Sequence, residues 1–221
     1  MPDVSYPGGG GYLAEPAGAE PRPGVVVIQE WWGLDHHIRS VTDRFAAEGF
    51  VALAPDLYEG RVTDSPEEAM ALLRGLSPED GTARVMAAIA HLKGQARVQP
   101  KRVGVIGFCM GGTYALQAAI RSPDVGAAAP FYGGGTGQLI DEVSRIRVPV
   151  LAVFGAEDQS IPLDVVERFR AALQRAGKTA DVRIYPGAGH AFLNDERPSY
   201  RAEPAADAWA RAVALFKDNL T

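Results

Sequence analysis

The chain has 221 residues, 47% of them apolar, and 22 basic against 27 acidic side chains give it a net charge of −5. That length fits a single domain over residues 1–221 with one core, and the acidic balance argues against nucleic acid or an anionic membrane surface as partner. No run approaches the roughly 18 apolar residues of a spanning helix. The opening MPDVSYPGGGGYLAEP lacks the basic head and apolar stretch of a secretory signal, and a lone cysteine cannot close an internal disulfide, so a reducing, cytoplasmic setting is expected.

Taken in chain order, the Gly/Pro-rich first twenty residues suggest a short edge hairpin around Gly8 to Gly11. Val25-Val26-Val27-Ile28 is a continuous β-branched run, as a strand buried on both faces would be. Leu34, Ile38, Val41 and Phe45 then recur at helical spacing, and Gly49 marks the stop. Residues 50–54 read as a strand ended by Pro55. Ser65-Pro66 and Ser77-Pro78 open two helices across 66–94, and residues 103–107 form the next strand. A helix over 110–121 ends before Ser122-Pro123. Strands at 127–132 and 148–154 follow, then a helix over 162–176 with Val165, Val166, Phe169 and Leu173 on one face and Gly177 as its end. A short strand at 182–185 precedes a closing helix striped by Trp209, Val213, Phe216 and Leu220. Strands alternating with helices predict an α/β fold, a mostly parallel sheet with helices on both faces.

Residues 105–112, Val-Ile-Gly-Phe-Cys-Met-Gly-Gly, carry the most chemical information. They join a strand to a helix with the spacing G-x-nucleophile-x-G, cysteine standing where serine is commoner. The nucleophile of such a turn is strained, and side chains at Gly107 and Gly111 would collide with the strand and the helix. A helix N-terminus at Cys109 favours thiolate, and the Met110 backbone N–H points into the same space. A phosphate site is the rival for a glycine-rich turn, but the dinucleotide and P-loop patterns are absent. A buried structural cysteine is the plainer alternative.

A cysteine nucleophile needs a base and the base an orienting acid, here expected in the order nucleophile, acid, histidine. His190, in a glycine-rich loop, is the single histidine downstream of Cys109. Asp158 follows a strand and is favoured over its neighbour Glu157 by order and placement. Upstream, His91 falls on a helix as a solvated residue, while His36 and His37 lie near the first strand's end, where they could line a pocket. Glu30 ends a buried apolar strand, a costly place for an unpaired carboxylate. No metal-ligand pattern stands out. A ligand-binding protein on a hydrolase scaffold and a redox sensor remain as alternatives; the intact Cys-Asp-His set weighs against the first and the lack of a resolving cysteine against the second.

These pieces resemble the dienelactone hydrolase (carboxymethylenebutenolidase) family of α/β-hydrolases. The matching stretches are Gln29-Glu30-Trp31-Trp32-Gly33-Leu34, Ala54-Pro55-Asp56-Leu57-Tyr58, Gly107-Phe108-Cys109-Met110-Gly111-Gly112, Gly155 to Asp158, and Gly189-His190-Ala191-Phe192, in the family's order over nearly the whole chain. The resemblance implies hydrolysis of a small-molecule ester or lactone through an acyl-enzyme, without a cofactor, by a monomer or homodimer. It places Cys109, His190 and Asp158 in the triad, Glu30 against the resting thiol, and the backbone N–H of Trp31 beside that of Met110 in the oxyanion hole. Trp32, Tyr58, Tyr132 and Phe192 would shape an apolar pocket with the Trp31 indole, unless they are simply core. One departure is visible: where the family's substrate-binding arginine stands, four residues after the catalytic histidine, this chain has Asn194. Arg61, Arg197 and Arg201 are near in sequence but do not match that position. The sequence leaves open whether residues 58–80 act as a lid.

Overall fold

The computed structural model describes residues 4–220. Its element order is β1 (Val4–Tyr6), β2 (Gly9–Ala14), β3 (Gly24–Ile28), α1 (His36–Ala47), β4 (Val51–Pro55), α2 (Pro66–Gly75), α3 (Pro78–Gly94), β5 (Val103–Phe108), α4 (Met110–Arg121), β6 (Val125–Phe131), a 3-10 segment (Thr136–Arg145), β7 (Val150–Gly155), α5 (Leu163–Arg175), β8 (Ala180–Tyr185) and α6 (Ala202–Asn219). The eight strands form one sheet in the order β1-β2-β4-β3-β5-β6-β7-β8. The hairpin expected near Gly8 is β1–β2; its second strand runs antiparallel to β4, and every later pairing is parallel.

The sheet is covered on both faces. Phe45 of α1 packs against Trp209 and Phe216 of α6 on one side, while α3 and α4 pack together on the other. Every residue of β3, β4, β5, β6 and β7 is therefore buried, which is why these strands read as unbroken apolar runs. The last strand, β8, is an edge and only half-buried. Helix ends follow their local chemistry. Ser65 and Ser77 accept the N–H groups of Glu68 and Asp80, and α1 closes with Gly49 N–H on Ala46 O and Phe50 N–H on Phe45 O, with Gly49 at φ 96°.

Several expectations shift. Asp35 caps α1 by accepting from Ile38 N–H, so Leu34 is buried but precedes the helix. Pro55 belongs to β4, paired with Gly11. The strand expected at 148–154 starts at Val150 and that at 182–185 starts at Ala180. The 3-10 segment was not foreseen; it buries Thr136, Leu139 and Val143 without an α-helical period. His91 is not simply solvated: its ring stacks on Tyr6 at 4.6 Å.

Candidate active site

The sheet order reverses beside β3. The chain leaves β3 for β4 on one side and returns to place β5 on the other, and in open parallel sheets the crevice at such a reversal, beyond the strand C-termini, is where ligands bind. Glu30 lies just beyond β3 and Cys109 just beyond β5, so both stand at that crevice.

Cys109 has φ 54° and ψ −116°, a strained conformation for any residue with a Cβ. Its N–H bonds Phe131 O at 3.1 Å and its carbonyl accepts from Gly112 N–H at 3.0 Å. The flanking glycines are steric necessities. A Cβ on Gly107 would sit 2.0 Å from Gly111 O, and one on Gly111 would sit 2.4 Å from Ile28 O. Gly112, not singled out from the sequence, is equally constrained: its Cβ would lie 2.3 Å from Phe131 O. Among the described residues, no loop or turn hydrogen bond uses the Met110 or Trp31 backbone N–H.

The structure brings His190 and Asp158 together across 32 positions of sequence: His190 Nδ1 is 2.7 Å from Asp158 Oδ2. The other carboxylate oxygen accepts from Ser160 N–H at 2.8 Å and Ile161 N–H at 3.2 Å. Asp158 is buried, whereas Glu157 is exposed and uses its backbone to bond Ala188 O. The imidazole is half-buried. Burial alone would lower its pKa, but the bond to Asp158 and the interaction with the Cys109 side chain outweigh that and hold it at about 10.

Glu30 is buried, with 1% of its surface exposed. Its Oε2 accepts from Asn194 Nδ2 at 2.7 Å, and its Oε1 has no hydrogen-bond partner. Burial raises its pKa, opposed by the charge of His37 and by the Asn194 bond. Asn194 is itself fully buried; it faces the glutamate, and sequence reasoning saw it only as a missing arginine. His36 and His37 do not line an open pocket. His36 is exposed and paired with Glu196, whereas His37 is buried and places Nδ1 3.1 Å from Asp195 Oδ1.

The aromatic residues divide by exposure. Trp31 and Trp32 are half-buried and meet edge to face at 4.9 Å, with the Arg197 guanidinium 4.0 Å over the Trp32 ring. Tyr58, Tyr132 and Phe192 are buried. The Tyr58 hydroxyl donates to Met110 Sδ at 3.4 Å, and Tyr132 packs 5.3 Å from the His190 ring and 5.7 Å from Phe192. All three belong to the buried core cluster. The segment after Tyr58 is stitched to the tryptophans by Thr63 N–H on Trp32 O at 3.0 Å. Beside the histidine loop runs a groove of about 620 Å³ lined by Tyr185, Gly187, Arg201 and Asp207. Gln29 and Asp56, which belong to the recognised stretches, act as clamps: Gln29 Oε1 accepts from Leu57 N–H and Asp56 Oδ1 from Tyr58 N–H.

A mostly parallel sheet, a strained strand-to-helix elbow and a downstream acid–histidine pair define an α/β-hydrolase. The pattern of the Dienelactone hydrolase family matches residues 10–220, and the chain belongs to that family. It is 39% identical over 219 residues to Protein usf of Aquifex pyrophilus, covering 96% of this chain and 94% of that one. It is 38% identical over 226 residues to a protein named "Putative carboxymethylenebutenolidase" in Synechocystis sp., covering 95% and 92%. The crystal structure titled as a putative dienelactone hydrolase from Klebsiella pneumoniae superposes with a TM-score of 0.86 at 35% identity, covering 94% of this chain and 92% of that one. No helix among the described residues is long and apolar enough to cross a membrane.

Proposed function

We propose that the protein hydrolyses small esters or lactones through an acyl-enzyme on Cys109. The observation that carries this reading is the 2.7 Å His190–Asp158 bond in a loop whose imidazole interacts with the sulfur of a strained elbow. The Cys109 thiolate attacks the substrate carbonyl carbon, and the carbonyl oxygen becomes an oxyanion facing the N–H groups of Met110 and Trp31. Removing one such donor typically costs about 2.7–4 kcal/mol of transition-state stabilisation. The His190 imidazolium gives its proton to the departing alkoxide or enolate. Neutral again, it takes a proton from water, whose oxygen attacks the thioester; the C–S bond breaks, freeing the acid and returning the thiolate–imidazolium pair. Asp158 holds the ring orientation throughout. Before substrate arrives Glu30 holds the sulfur as the neutral thiol, and the thiol proton passes to His190 when substrate displaces the carboxyl.

Asn194 donates to Glu30 and carries no charge, so it cannot grip a substrate carboxylate as the family's arginine would. Uncharged esters, lactones and thioesters fit this site better than a carboxylate-bearing dienelactone. The test is turnover of p-nitrophenyl acetate by the parent and by Cys109→Ala. Multiple turnover lost in the variant supports the reading, and hydrolysis at the parent's rate refutes it. A panel of neutral and carboxylated lactones then separates the substrate classes.

A further inference from the structure

The peptide plane between Glu30 and Trp31 is held by two donors. Its carbonyl, Glu30 O, accepts from Gln29 Nε2 at 3.4 Å and from Gly33 N–H at 3.5 Å. Each bond is long, so the direction of the carbonyl depends on the two together. Both donors are themselves fixed. Gln29, just after β3, is fully buried, and its Oε1 accepts from Leu57 N–H at 3.0 Å. An N–H must be met by the amide oxygen, which turns the amide nitrogen toward Glu30 O. Gly33 N–H belongs to the peptide whose carbonyl, Trp32 O, accepts from Thr63 N–H at 3.0 Å. Gly33 stands at φ 102°, and a Cβ there would lie 2.4 Å from Arg61 O, so glycine is what lets the 61–63 segment close on this turn. The elbow meets the same stretch: a Cβ on Gly111 would lie 2.5 Å from Gln29 O.

The Glu30–Trp31 peptide is trans. In a trans peptide C=O and N–H point in opposite directions, so whatever aims Glu30 O also aims Trp31 N–H. We infer that Gln29 is a positioning residue of the oxyanion hole, with Thr63 acting through Gly33 as the second support, and that together they set the direction of the Trp31 N–H. The role of that N–H rests on the proposed function, while the hold on the peptide plane stands without it. A buried amide at the end of an apolar strand is costly unless its polar atoms are used. Meeting Leu57 N–H accounts for the Gln29 oxygen; aiming the peptide accounts for the nitrogen.

Glu30–Trp31 is the single Glu-Trp step in the chain. Labelling with carbonyl-13C glutamate and nitrogen-15 tryptophan therefore gives one NMR cross-peak that reports this peptide without turnover. Gln29→Met removes the amide donor without adding a charge, and Thr63→Pro removes the Thr63 N–H from a loop outside the buried core. In each, the Glu30 carbonyl carbon should move upfield, the direction that loss of a hydrogen bond gives. A carbonyl shift unchanged in either folded variant overturns the inference. Kinetics then separate aiming from general damage. Iodoacetamide alkylates the thiolate by displacement and creates no oxyanion, whereas acylation by p-nitrophenyl acetate does. In Gln29→Met the single-turnover acylation rate should fall at least about 10-fold, short of the roughly 100-fold or greater loss when a donor is removed outright. The rate and pH profile of Cys109 alkylation should stay at the parent's. An unchanged acylation rate overturns the inference, and so does a parallel fall of both rates, which marks a displaced elbow. Thr63→Pro should show the same split, so the inference remains open to refutation where Gln29→Met does not fold. Hydrolysis surviving in Cys109→Ala bears on the proposed function alone; the Glu30 carbonyl shift then still decides whether the peptide is held.

Discussion

Asn194→Ala isolates what holds Glu30. The substitution removes a 2.7 Å donor from a carboxyl that has no other hydrogen-bond partner, in a place where both residues are buried. A hydrogen bond to a charged group contributes about 1.5–3 kcal/mol, and a neutral one about 0.5–1.5. For a chain of this size, about 2–4 °C of melting temperature corresponds to 1 kcal/mol, so Asn194→Ala should lower the melting temperature by about 1–12 °C, the upper part of that range applying where Glu30 is ionised. The loss should shrink as the pH falls and Glu30 is protonated, because a neutral carboxyl depends less on the donor. In a Glu30→Gln background the same substitution should cost about 1 kcal/mol less. Urea melts of the four proteins at pH 5 and pH 8 measure the cycle. Additivity within about 0.5 kcal/mol at both pH values refutes the claim that Asn194 serves an ionisable carboxyl.

Three further outcomes are expected. Because the folded pKa of His190 is raised from its ordinary 6.5 to about 10, its stabilising contribution is complete below pH 6.5 and is lost as the pH climbs to about 10; Asp158→Asn should flatten that slope in denaturation measured across the interval. Gly111→Ala forces a Cβ to within 2.4 Å of Ile28 O, where backbone must move, so a loss of at least about 1–3 kcal/mol and a sharp fall in esterase activity are expected. Arg197→Ala removes a stacked cation at the rim, worth about 0.5–1 kcal/mol at an exposed site; kcat for a small neutral ester should hold, and a drop as large as that of Cys109→Ala would show that the site extends to this residue.

The elements of the fold that could be read in advance are those whose physics is local. Buried parallel strands must be apolar throughout, so β3 to β7 announce themselves, and Ser-Pro starts and glycine stops fix the helices. The elbow is equally local, since its glycines are required by clashes within a few residues of Cys109. His190 and Asp158 were reachable because chain order and strand ends narrow the choices. The Glu30–Asn194 bond spans 164 positions, and a partner so distant leaves no mark in spacing; the departure from an arginine was visible, but where the amide points was not. Exposure of the aromatics was likewise hidden, because Tyr132 in the core and Trp32 at the rim are the same kind of letter. Helical periodicity also fails for the 3-10 segment, whose turns do not repeat every 3.6 residues.

The loop that carries the imidazole is fastened to the start of α1 and the end of β3 through His36–Glu196, His37–Asp195 and Glu30–Asn194, and to itself by Arg201 N–H on Phe192 O at 2.9 Å. The tryptophan rim and the 60–63 segment are joined through Thr63 and Trp32, and Arg197 of the imidazole loop lies over the same Trp32 ring. A change that moves the rim therefore pulls on the loop that aims the imidazole, so reshaping the rim requires the Arg197–Trp32 contact to be kept or replaced.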